Sequence, residues 1–326
     1  MQTFYYFCSK IYATMANIFG DKWTFTSFGE SHGAAVGGVL DGVPAGLHID
    51  FDMIREELER RAGRKRIEGV AYASKGQVGV SPRALREPDK IEWLSGVLDG
   101  VTLGTPIAFL IRNKDARPED YEWLKHSYRT GHADKTYEQK YGIRDWRGGG
   151  RASARETAGR VVAGCIAKQE LAAKGISIHA RLIQVGAETD PDKFADTIAA
   201  FQQEGDSIGG IIECTIAGLP AGTGEPVFNK LQAELAFAVM SINACKGFEY
   251  GTGFGGVTQP GSAINHISGG IAGGIADGTE ITFRCVFKPT PSTPKAGVKG
   301  RHDACVATRA VPVVEAMTAL AVINLL

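Results

Sequence analysis

The sequence has no excess of charge of either sign. Lys and Arg together number 36, and Asp and Glu together also number 36. A net charge of zero removes the global electrostatic argument for a nucleic-acid-binding protein and for attachment to an anionic membrane surface. The chain also lacks an unbroken apolar run of the roughly 18 to 20 residues that a membrane-spanning helix needs. We therefore expect neither a nucleic-acid partner nor a membrane partner.

Cysteines are few, and they are widely spaced along the chain. Because no two stand in a C-x-x-C arrangement, the pattern indicates neither a structural zinc site nor a disulfide framework. Most of them stand in apolar runs, where cysteine behaves as a small hydrophobic residue. We expect free core thiols in a cytoplasmic protein, at Cys8, Cys165, Cys214, Cys245, Cys285 and Cys305.

The first fourteen residues lack the pattern of a secretory signal. Their one charged residue, Lys10, follows the apolar stretch, whereas a signal peptide carries its positive charge before that stretch. We interpret residues 1–14 as an N-terminal extension, disordered or non-native, with Met15 as the functional start. A weak organelle-targeting role is the alternative. Residues 15–326 then form the domain.

Glycine, in contrast, is abundant. It accounts for 42 of the 326 residues, against about 7% in an average protein. The glycines cluster without a fixed period, which excludes collagen and repeat arrays. Because glycine has no side chain, such clusters indicate backbone that approaches another group closely.

The spacing of apolar residues predicts strands that alternate with helices. Asp50 is the predicted N-cap of a helix that ends near Gly63. A second helix begins at Ser153 with an S-x-x-E capping box and ends at Gly175. We place Pro312 near the first turn of a final helix. The predicted strands are 23–28, 36–43, 106–111 and 280–287, and the further helices are 228–242 and 313–326. The mixture is α/β or α+β, and no linker divides it, so we predict a single large domain.

Three consecutive glycines, Gly148 to Gly150, precede the helix that starts at Ser153. A helix start offers free N–H groups and the positive end of the helix dipole. Together with Arg151, Arg155 and the Ser153 hydroxyl, this segment is a candidate site for a phosphate or a flavin. The alternative is a tight turn that only starts a helix.

Three histidines stand in polar, glycine-containing segments. His32 follows Ser31, and His132 follows Gly131. Histidine titrates near neutrality and can act as a general acid, although each is equally consistent with a hydrogen-bonded loop residue. A third cluster is Arg301-His302-Asp303. Its arginine could bind a carboxylate group of a ligand, and its aspartate could act as a base. Since no two of these residues have the i, i+4 spacing of metal ligands, we predict no metal site.

Arginines recur beside these segments, and their planar fork suits phosphate and carboxylate groups. They are Arg60, Arg61, Arg64, Arg66, Arg129, Arg151, Arg155, Arg301 and Arg309. A basic run such as 60–66 also fits a solvated helix end. A second glycine cluster, 269–275, precedes the strand that ends at Lys288, and it predicts either a close backbone contact or a glycine-rich hairpin.

Taken together, these segments resemble chorismate synthase over nearly the whole chain, from about residue 17 to 326. Three long motifs carry the resemblance, and they are FGESHG with the following GVLDGVPAG (28–46), GGGRASARETAGRVVAG (148–164) and GRHDACVATRAVPVVEAM (300–317). Four intervening stretches are also similar to the family: GHADKTYEQKYGIRD (131–145), GDSIGG (205–210), LPAGTGEPVF (219–228) and MSINACKGFE (240–249). Each is far more specific than an isolated short glycine motif.

The resemblance implies an α+β fold, a β-α-β sandwich with a helical layer between antiparallel sheets, and a homotetramer. It implies a carbon–oxygen lyase that converts 5-enolpyruvylshikimate 3-phosphate to chorismate and phosphate, the last step of the shikimate pathway. The implied reaction is a 1,4-anti elimination that removes the C6 proR hydrogen. It requires reduced FMN without net redox change, and we expect NADPH only as an indirect reductant.

The resemblance also assigns roles at the matching motif positions. His32 would protonate the departing phosphate with support from Ser31. His132 would protonate or stabilise the reduced flavin, and Asp303 would assist removal of the C6 proton. Substrate anions would be held by Arg60, Arg129 and Arg155. Flavin contacts are implied for Arg151, Ala152, Ser153, Asn243, Ala244, Gly273, Lys288, Pro289, Thr290, Pro291, Ser292 and Arg301, and NADP contacts for Arg60 and Arg66.

The chain departs from the family pattern in three places. The stretch Arg86-Glu87-Pro88-Asp89 arrives late, so residues 67–84 contain added material and Arg64 competes with Arg66. The segments after Ser262 and after Ser292 are shorter than usual. Because of these departures, one alternative to an active enzyme is a non-catalytic relative that binds flavin or anions. A second alternative is an RNA-binding module with basic loops, and the zero net charge argues against it.

Overall fold

The structure is a computed structural model that describes residues 16–65, 72–73, 76–77, 79–80, 82–298 and 302–326. The predicted extension 1–14 and Met15 lie outside the described residues, as do Arg66, Arg301 and half of the added segment 67–84. The two main sheets, the helices between them and the candidate active site are built from the described ranges.

The helices of the described chain are α1 (Phe51–Ala62), α2 (Pro82–Arg86), α3 (Asp134–Tyr141), α4 (Thr157–Ala173), α5 (Phe194–Gln203), α6 (Leu231–Met240), α7 (Gly261–Ile264) and α8 (Ala307–Leu325). Its strands are β1 (Ile18–Phe19), β2 (Thr24–Gly29), β3 (Ala35–Asp41), β4 (Tyr72–Ala73), β5 (Gly76–Gln77), β6 (Ile91–Trp93), β7 (Val97–Leu98), β8 (Val101–Thr102), β9 (Ile107–Arg112), β10 (Ser177–Val185), β11 (Gly210–Ala217), β12 (Cys245–Tyr250), β13 (Ile271–Ala272), β14 (Ile275–Ala276) and β15 (Ile281–Phe287).

Two antiparallel sheets form the outer layers. The first has the strand order β1-β2-β3-β9-β6, and the second has the order β10-β11-β15-β12. Strand β15 alternates as its sequence predicts, with Ile281, Phe283, Cys285 and Phe287 buried. The buried face of each sheet therefore needs a cover, and the helices provide it.

The helical layer lies between the sheets. Helix α4 packs against β3 of the first sheet, α8 packs against β10 and β11 of the second, and the two helices pack along each other. Helix α1 contacts both α4 and α8. The expected β-α-β sandwich of the α+β class, in one domain, is confirmed.

Helix α8 is long and apolar enough to cross a membrane by length and composition, which the sequence analysis did not anticipate. Of its most apolar window, 83% is buried inside the fold. Val311, Val314 and Leu320 are fully buried against the other layers. Its hydrophobicity on all sides therefore follows from its place between two sheets.

Most predicted elements are confirmed, and the helix ends follow the expected chemistry. The Asp50 side chain accepts a hydrogen bond from the Met53 N–H at 2.9 Å, and Gly63 ends α1 in the left-handed conformation. The expected free thiols are confirmed for Cys165, Cys214, Cys245, Cys285 and Cys305, which are buried and unpaired as disulfides.

Two predicted helix starts are wrong. The Ser153 hydroxyl accepts a long 3.4 Å bond from the Arg155 N–H, so the chain first makes a short 3-10 turn and α4 begins at Thr157. The Glu156 carboxylate binds Arg160 instead of completing a capping box. Helix α8 begins at Ala307, with Pro312 inside it. A proline there removes one helical hydrogen bond, and the burial of most of α8 between two sheets outweighs that loss.

Candidate active site

One cavity of about 480 Å³ gathers segments from both ends of the chain. Its walls come from the loop after β2, from α2, from the loop before α3, from the 3-10 turns before α4, and from the segments that flank β12, β15 and α8. The volume falls within the roughly 300 to 1,000 Å³ that is typical of pockets for small ligands.

Fourteen of the predicted site residues line this cavity: Ser31, His32, Arg129, His132, Ala152, Ser153, Arg155, Asn243, Ala244, Lys288, Thr290, Pro291, Ser292 and Asp303. The cavity therefore brings together residues that the resemblance named from separate motifs. Four predicted residues do not line it, and they are Arg60, Arg151, Gly273 and Pro289.

His32 is held from three sides. Its Nδ1 lies 3.2 Å from the Ser31 hydroxyl oxygen, and its ring packs edge-on against Tyr121 with centroids 4.8 Å apart. The imidazole is only 4% exposed. A β-carbon at Gly148 would lie 2.1 Å from His32 Nδ1, so only glycine fits that position. The ring thus has a fixed orientation at the cavity wall.

His132 is oriented by an acidic partner. Its Nδ1 lies 2.9 Å from an Asp134 carboxylate oxygen, which also accepts from Arg129 at 2.8 Å. Burial raises the pKa of Asp134, but the hydrogen bonds from Arg129 and His132 outweigh burial and hold that pKa well below its usual range. Since Nδ1 faces Asp134, Nε2 is the ring atom that remains for a ligand.

The glycine triplet approaches side chains of the protein, whereas the sequence predicted that it would approach a phosphate or a flavin. Besides Gly148 against His32, a β-carbon at Gly149 would lie 2.6 Å from a ring carbon of His132. The backbone of the triplet is therefore pressed against both histidines. The close approach that the sequence predicted is real, but the groups approached are the two imidazoles.

A cluster of arginines forms one wall of the cavity, and the buried carboxylate of Asp89 lies among them. Asp89 pairs with Arg155 and with Arg61, the latter at 3.4 Å, and Arg309 donates to Asp303 at 2.7 Å. The pKa of Arg61 is lowered to about 9, because burial and the charges of Arg309 and Arg155 outweigh the opposing charge of Asp89. This wall therefore carries positive charge in excess of its carboxylates and suits a polyanion.

The structure corrects the placement of Arg60. Its guanidinium binds Glu315 at 2.8 Å and Glu57 at 2.6 Å within the helical layer, where Lys168 pairs with the same two carboxylates. Arg61 takes the place at the cavity, because on α1 it shares the inward face of Leu58, three residues earlier, and Ile54. That helical spacing is the signal in the sequence that distinguishes the two arginines.

The buried ionic cluster yields a stability prediction. Burial raises the pKa of Glu315, but its bonds to Arg60 and Lys168 lower it from 4.5 to about 2. A carboxyl with a depressed pKa stabilises the fold above its unfolded pKa, and that stability is lost as pH falls from 4.5 towards 2. We expect Glu315→Gln to lower the free energy of unfolding by about 3 kcal/mol at pH 7 and by progressively less below pH 4.5.

Urea unfolding between pH 2 and 7 measures both effects. Glu92→Gln is the matched control, because Glu92 pairs with Arg112 on the exposed surface and should change stability little. A Glu315→Gln protein as stable as the parent at pH 7 would show that the ionic cluster does not contribute to the fold.

Two further residues with predicted flavin contacts, Arg151 and Gly273, lie outside the cavity. The Arg151 guanidinium donates to the Gly29 carbonyl at 3.1 Å and to the Ser27 hydroxyl at 2.9 Å, and it lines an adjacent cleft instead. Gly273 lies in the turn between β13 and β14, so the hairpin alternative is the correct one for that glycine cluster. Nothing lies within 4 Å of a β-carbon built there.

Several buried polar atoms at the cavity have no hydrogen-bond partner in the described chain. They are Asn243 Oδ1, Ser292 Oγ and His302 Nε2. An unpaired buried polar group costs about 1 to 3 kcal/mol, so these atoms indicate a polar ligand. Asn243 and Ser292 are two of the residues for which the resemblance implies flavin contacts. An amide oxygen that accepts and a hydroxyl that can donate fit the N–H and carbonyl groups at the edge of a flavin ring. Among the described residues no group of three or more His, Cys, Asp or Glu side chains is placed to hold a metal ion.

A cavity lined by two oriented histidines and several arginines, set in a two-sheet sandwich, is typical of an enzyme with a small-molecule substrate. The family model for chorismate synthase matches residues 23–326. The chain belongs to the chorismate synthase family, and it is therefore a lyase.

Individual relatives agree over most of their length. A chorismate synthase of Phocaeicola vulgatus is 45% identical, covering 95% of this chain and 97% of the relative, and one of Christiangramia forsetii is 44% identical, covering 93% and 95%. A solved crystal structure of chorismate synthase superposes with a TM-score of 0.73 at 28% identity, covering 94% of this chain and 92% of that one.

The comparisons also bear on the predicted short segments. The alignment with the Phocaeicola relative spans 363 positions, more than the 326 residues of this chain. The relative therefore has residues that this chain lacks. This agrees with the shortened segments that the sequence predicts.

Proposed function

We propose that this chain eliminates phosphate from 5-enolpyruvylshikimate 3-phosphate to form chorismate, with reduced FMN as its cofactor. The observation that carries the proposal is the convergence of His32, His132 and Asp303 on one cavity with an arginine wall. The substrate has two carboxylates and a phosphate, and charge-assisted bonds from arginine to such groups are each worth about 1.5 to 3 kcal/mol. Membership of the family supports the same reaction.

The cofactor would be held by the segments that carry the unpaired polar atoms. When bound, reduced FMN supplies electron density to the reacting system without net oxidation or reduction. Cavity-lining residues that would hold it are Ala152, Ser153, Asn243, Ala244, Lys288, Thr290, Pro291 and Ser292. Lys288 is itself held by a 3.1 Å bond to the Gly131 carbonyl, beside His132.

His32 is the proposed proton donor to the departing phosphate. Its burial excludes water, and Ser31 and Tyr121 hold the ring so that the proton moves along one direction. Arg155 and Arg61 line the same cavity, and we propose that they hold the anionic groups of the substrate. General acid catalysis of this kind contributes about 10²- to 10⁴-fold to a rate.

Asp303 and His132 are proposed to act on the C6 proton and on the flavin, respectively. Asp303 is oriented by its 2.7 Å bond from Arg309, and we propose that it assists removal of the C6 proton. His132, fixed through Nδ1 by Asp134, presents Nε2 to the cofactor side of the cavity. Arg129 binds Asp134 through two nitrogens, so its first effect is to hold the carboxylate that orients His132.

We expect His132→Ala to lower turnover by at least tenfold while the protein remains folded. The loss follows because the oriented ring nitrogen disappears, and general acid–base groups typically contribute about 10²-fold or more. The measurement is anaerobic turnover with reduced FMN. His126→Ala, at an exposed histidine of the same segment, should leave turnover unchanged. Equal turnover of the His132 variant and the parent protein would remove His132 from the mechanism.

The proposed reaction is tested directly under anaerobic conditions. Purified protein, dithionite-reduced FMN and the substrate are mixed, and chorismate and phosphate are followed together. Release of both products in equal amounts supports the proposal, whereas FMN binding without turnover favours a non-catalytic relative. NADPH alone, without an external flavin reductase, should not sustain turnover.

We also propose a homotetramer in the cytoplasm. Several large apolar residues are highly exposed in the isolated chain. The exposed fraction is 87% for Phe228, 82% for Phe254 and 87% for Val257. Exposed apolar surface of this kind marks sites of protein association. The mass measured by light scattering in solution tests the number of subunits.

A further inference from the structure

Arg83 stands at the cavity but belongs to none of the family motifs. It lies in α2, at the end of the stretch in which the sequence predicts added residues. Its Nη1 is 3.1 Å from the Ser31 hydroxyl oxygen and 3.3 and 3.2 Å from Nδ1 and Nε2 of His32. Its Nη2 donates to the Ser31 carbonyl at 2.6 Å. The guanidinium is therefore placed directly against the proposed proton donor.

The charge of Arg83 is weakly compensated by its neighbouring carboxylate. Glu87 lies 3.5 Å from Nε, and its two oxygens also accept from the backbone N–H groups of Lys114 and Asp115. Burial lowers the pKa of Arg83, and the charge of Arg155 lowers it further. A half-buried cation beside a second arginine and an imidazole is a costly arrangement without an anion in the cavity.

A neutral side chain of similar size would pack against His32 at lower electrostatic cost. The guanidinium instead presents N–H groups to the space that His32 and Ser31 border, and planar arginine nitrogens match two oxygens of one phosphate. These contacts favour an oxyanion at this end of the cavity, shared between Arg83 and His32.

We propose that Arg83 is a ligand of the departing phosphate and binds it together with His32. The inference rests on the proposed function, because that function identifies the anion as a phosphate. As the carbon–oxygen bond breaks, its electron pair leaves on the phosphate. The proton comes from His32, and Arg83 keeps all of its protons and offsets the added negative charge. The segment that the chain has gained thus contributes to the site.

The test compares Arg83→Gln with Arg86→Gln. Arg86 belongs to the same short helix, but it pairs with Asp115 and its side chain is 52% exposed. Inorganic phosphate is titrated into the FMN-loaded protein, and its Kd is measured by calorimetry. We expect Arg83→Gln to raise this Kd by about 10- to 100-fold, the loss of one or two charge-assisted bonds. Arg86→Gln should change it by less than about twofold.

A second ligand distinguishes phosphate binding from general damage to the cavity. Chorismate carries two carboxylates and no phosphate, so Arg83→Gln should leave its Kd unchanged. Arg83→Lys keeps the charge and the aliphatic stem, and it serves if the glutamine variant does not fold. We expect it to weaken phosphate binding several-fold, because lysine cannot make two parallel bonds.

The outcomes separate the two proposals. An unchanged phosphate Kd in folded Arg83→Gln or Arg83→Lys protein overturns the role of Arg83, and so does an equal loss of phosphate and chorismate binding. Turnover in the parent protein would still support the proposed function in either case. If the parent protein has no turnover but binds phosphate through Arg83, the proposed reaction fails while the anion site stands.

Discussion

With alanine in place of His32, turnover should fall by about 10²- to 10⁴-fold, the range typical of a lost general acid. Without the proton from His32, the phosphate must leave with one more negative charge than the protonated dianion carries, which raises the barrier. The expected loss is in kcat, because Arg155 and Arg61 still hold the substrate. Anaerobic single-turnover kinetics with reduced FMN measure it.

Two controls make the result specific. His179→Ala removes a histidine that is exposed on β10, outside the cavity, and should have no effect on turnover. Thermal melting of His32→Ala should show a folded protein, since the ring lies at a cavity wall and not in the main core. Turnover within a few-fold of the parent protein would show that His32 is not the proton donor.

The second large effect is expected from one added methyl group, in Gly148→Ala. The new β-carbon would lie 2.1 Å from His32 Nδ1, and Gly148 has a φ of 61° that favours glycine. The histidine must move, and a displacement of about 1 Å at a reacting group can cost about 10²-fold in rate. We therefore expect a loss of kcat of that size, measured in the same anaerobic assay.

Gly142→Ala separates the steric effect from backbone strain. Gly142 also has a positive φ, 75°, but no atom lies within 4 Å of a β-carbon built there. Both variants should lose thermal stability because both place alanine in a left-handed conformation, and Gly148→Ala should lose more because its β-carbon also meets the His32 ring. Only Gly148→Ala should lose turnover. Equal activity of the two variants would argue against a tight contact between the glycine triplet and His32.

The fold was predictable wherever one periodicity was strong. Strand β15 alternates strictly, and α1 has both a capping Asp50 and a terminal Gly63, so their bounds agree with the sequence to within a residue or two. The starts of α4 and α8 were not predictable in the same way. Ser153 has a capping sequence but a different local hydrogen bond, and Pro312 is tolerated inside α8 because of tertiary packing.

The site was predictable as far as motifs reach. Long motifs named His32, His132 and Asp303, and these residues do meet at one cavity. The same motif matching placed Arg60 there, although the face of α1 that points inward carries Arg61. Asp89 was named only as part of a displaced motif, because its role depends on Arg61 and Arg155, which are remote in sequence.

Nothing in the sequence indicated that Arg83 belongs to the site. It lies outside the family motifs, and its contacts with Ser31 and His32 arise only from the folded path of the chain. The glycine triplet shows a related limit. The sequence predicted a close approach by Gly148 and Gly149, but not that their neighbours would be imidazoles.

The position of α8 has a consequence for biosynthesis. This helix covers the second sheet and packs along α4, yet it follows every strand of both sheets in the chain. During synthesis the inner face of the second sheet therefore stays uncovered until α8 has been made. Asn324 then accepts bonds from the backbone N–H groups of Asp21, Lys22 and Trp23, which joins the first strands to the last helix. The core between the second sheet and α8 should therefore form only after α8 has emerged, and the apolar face exposed before that point favours chaperone binding.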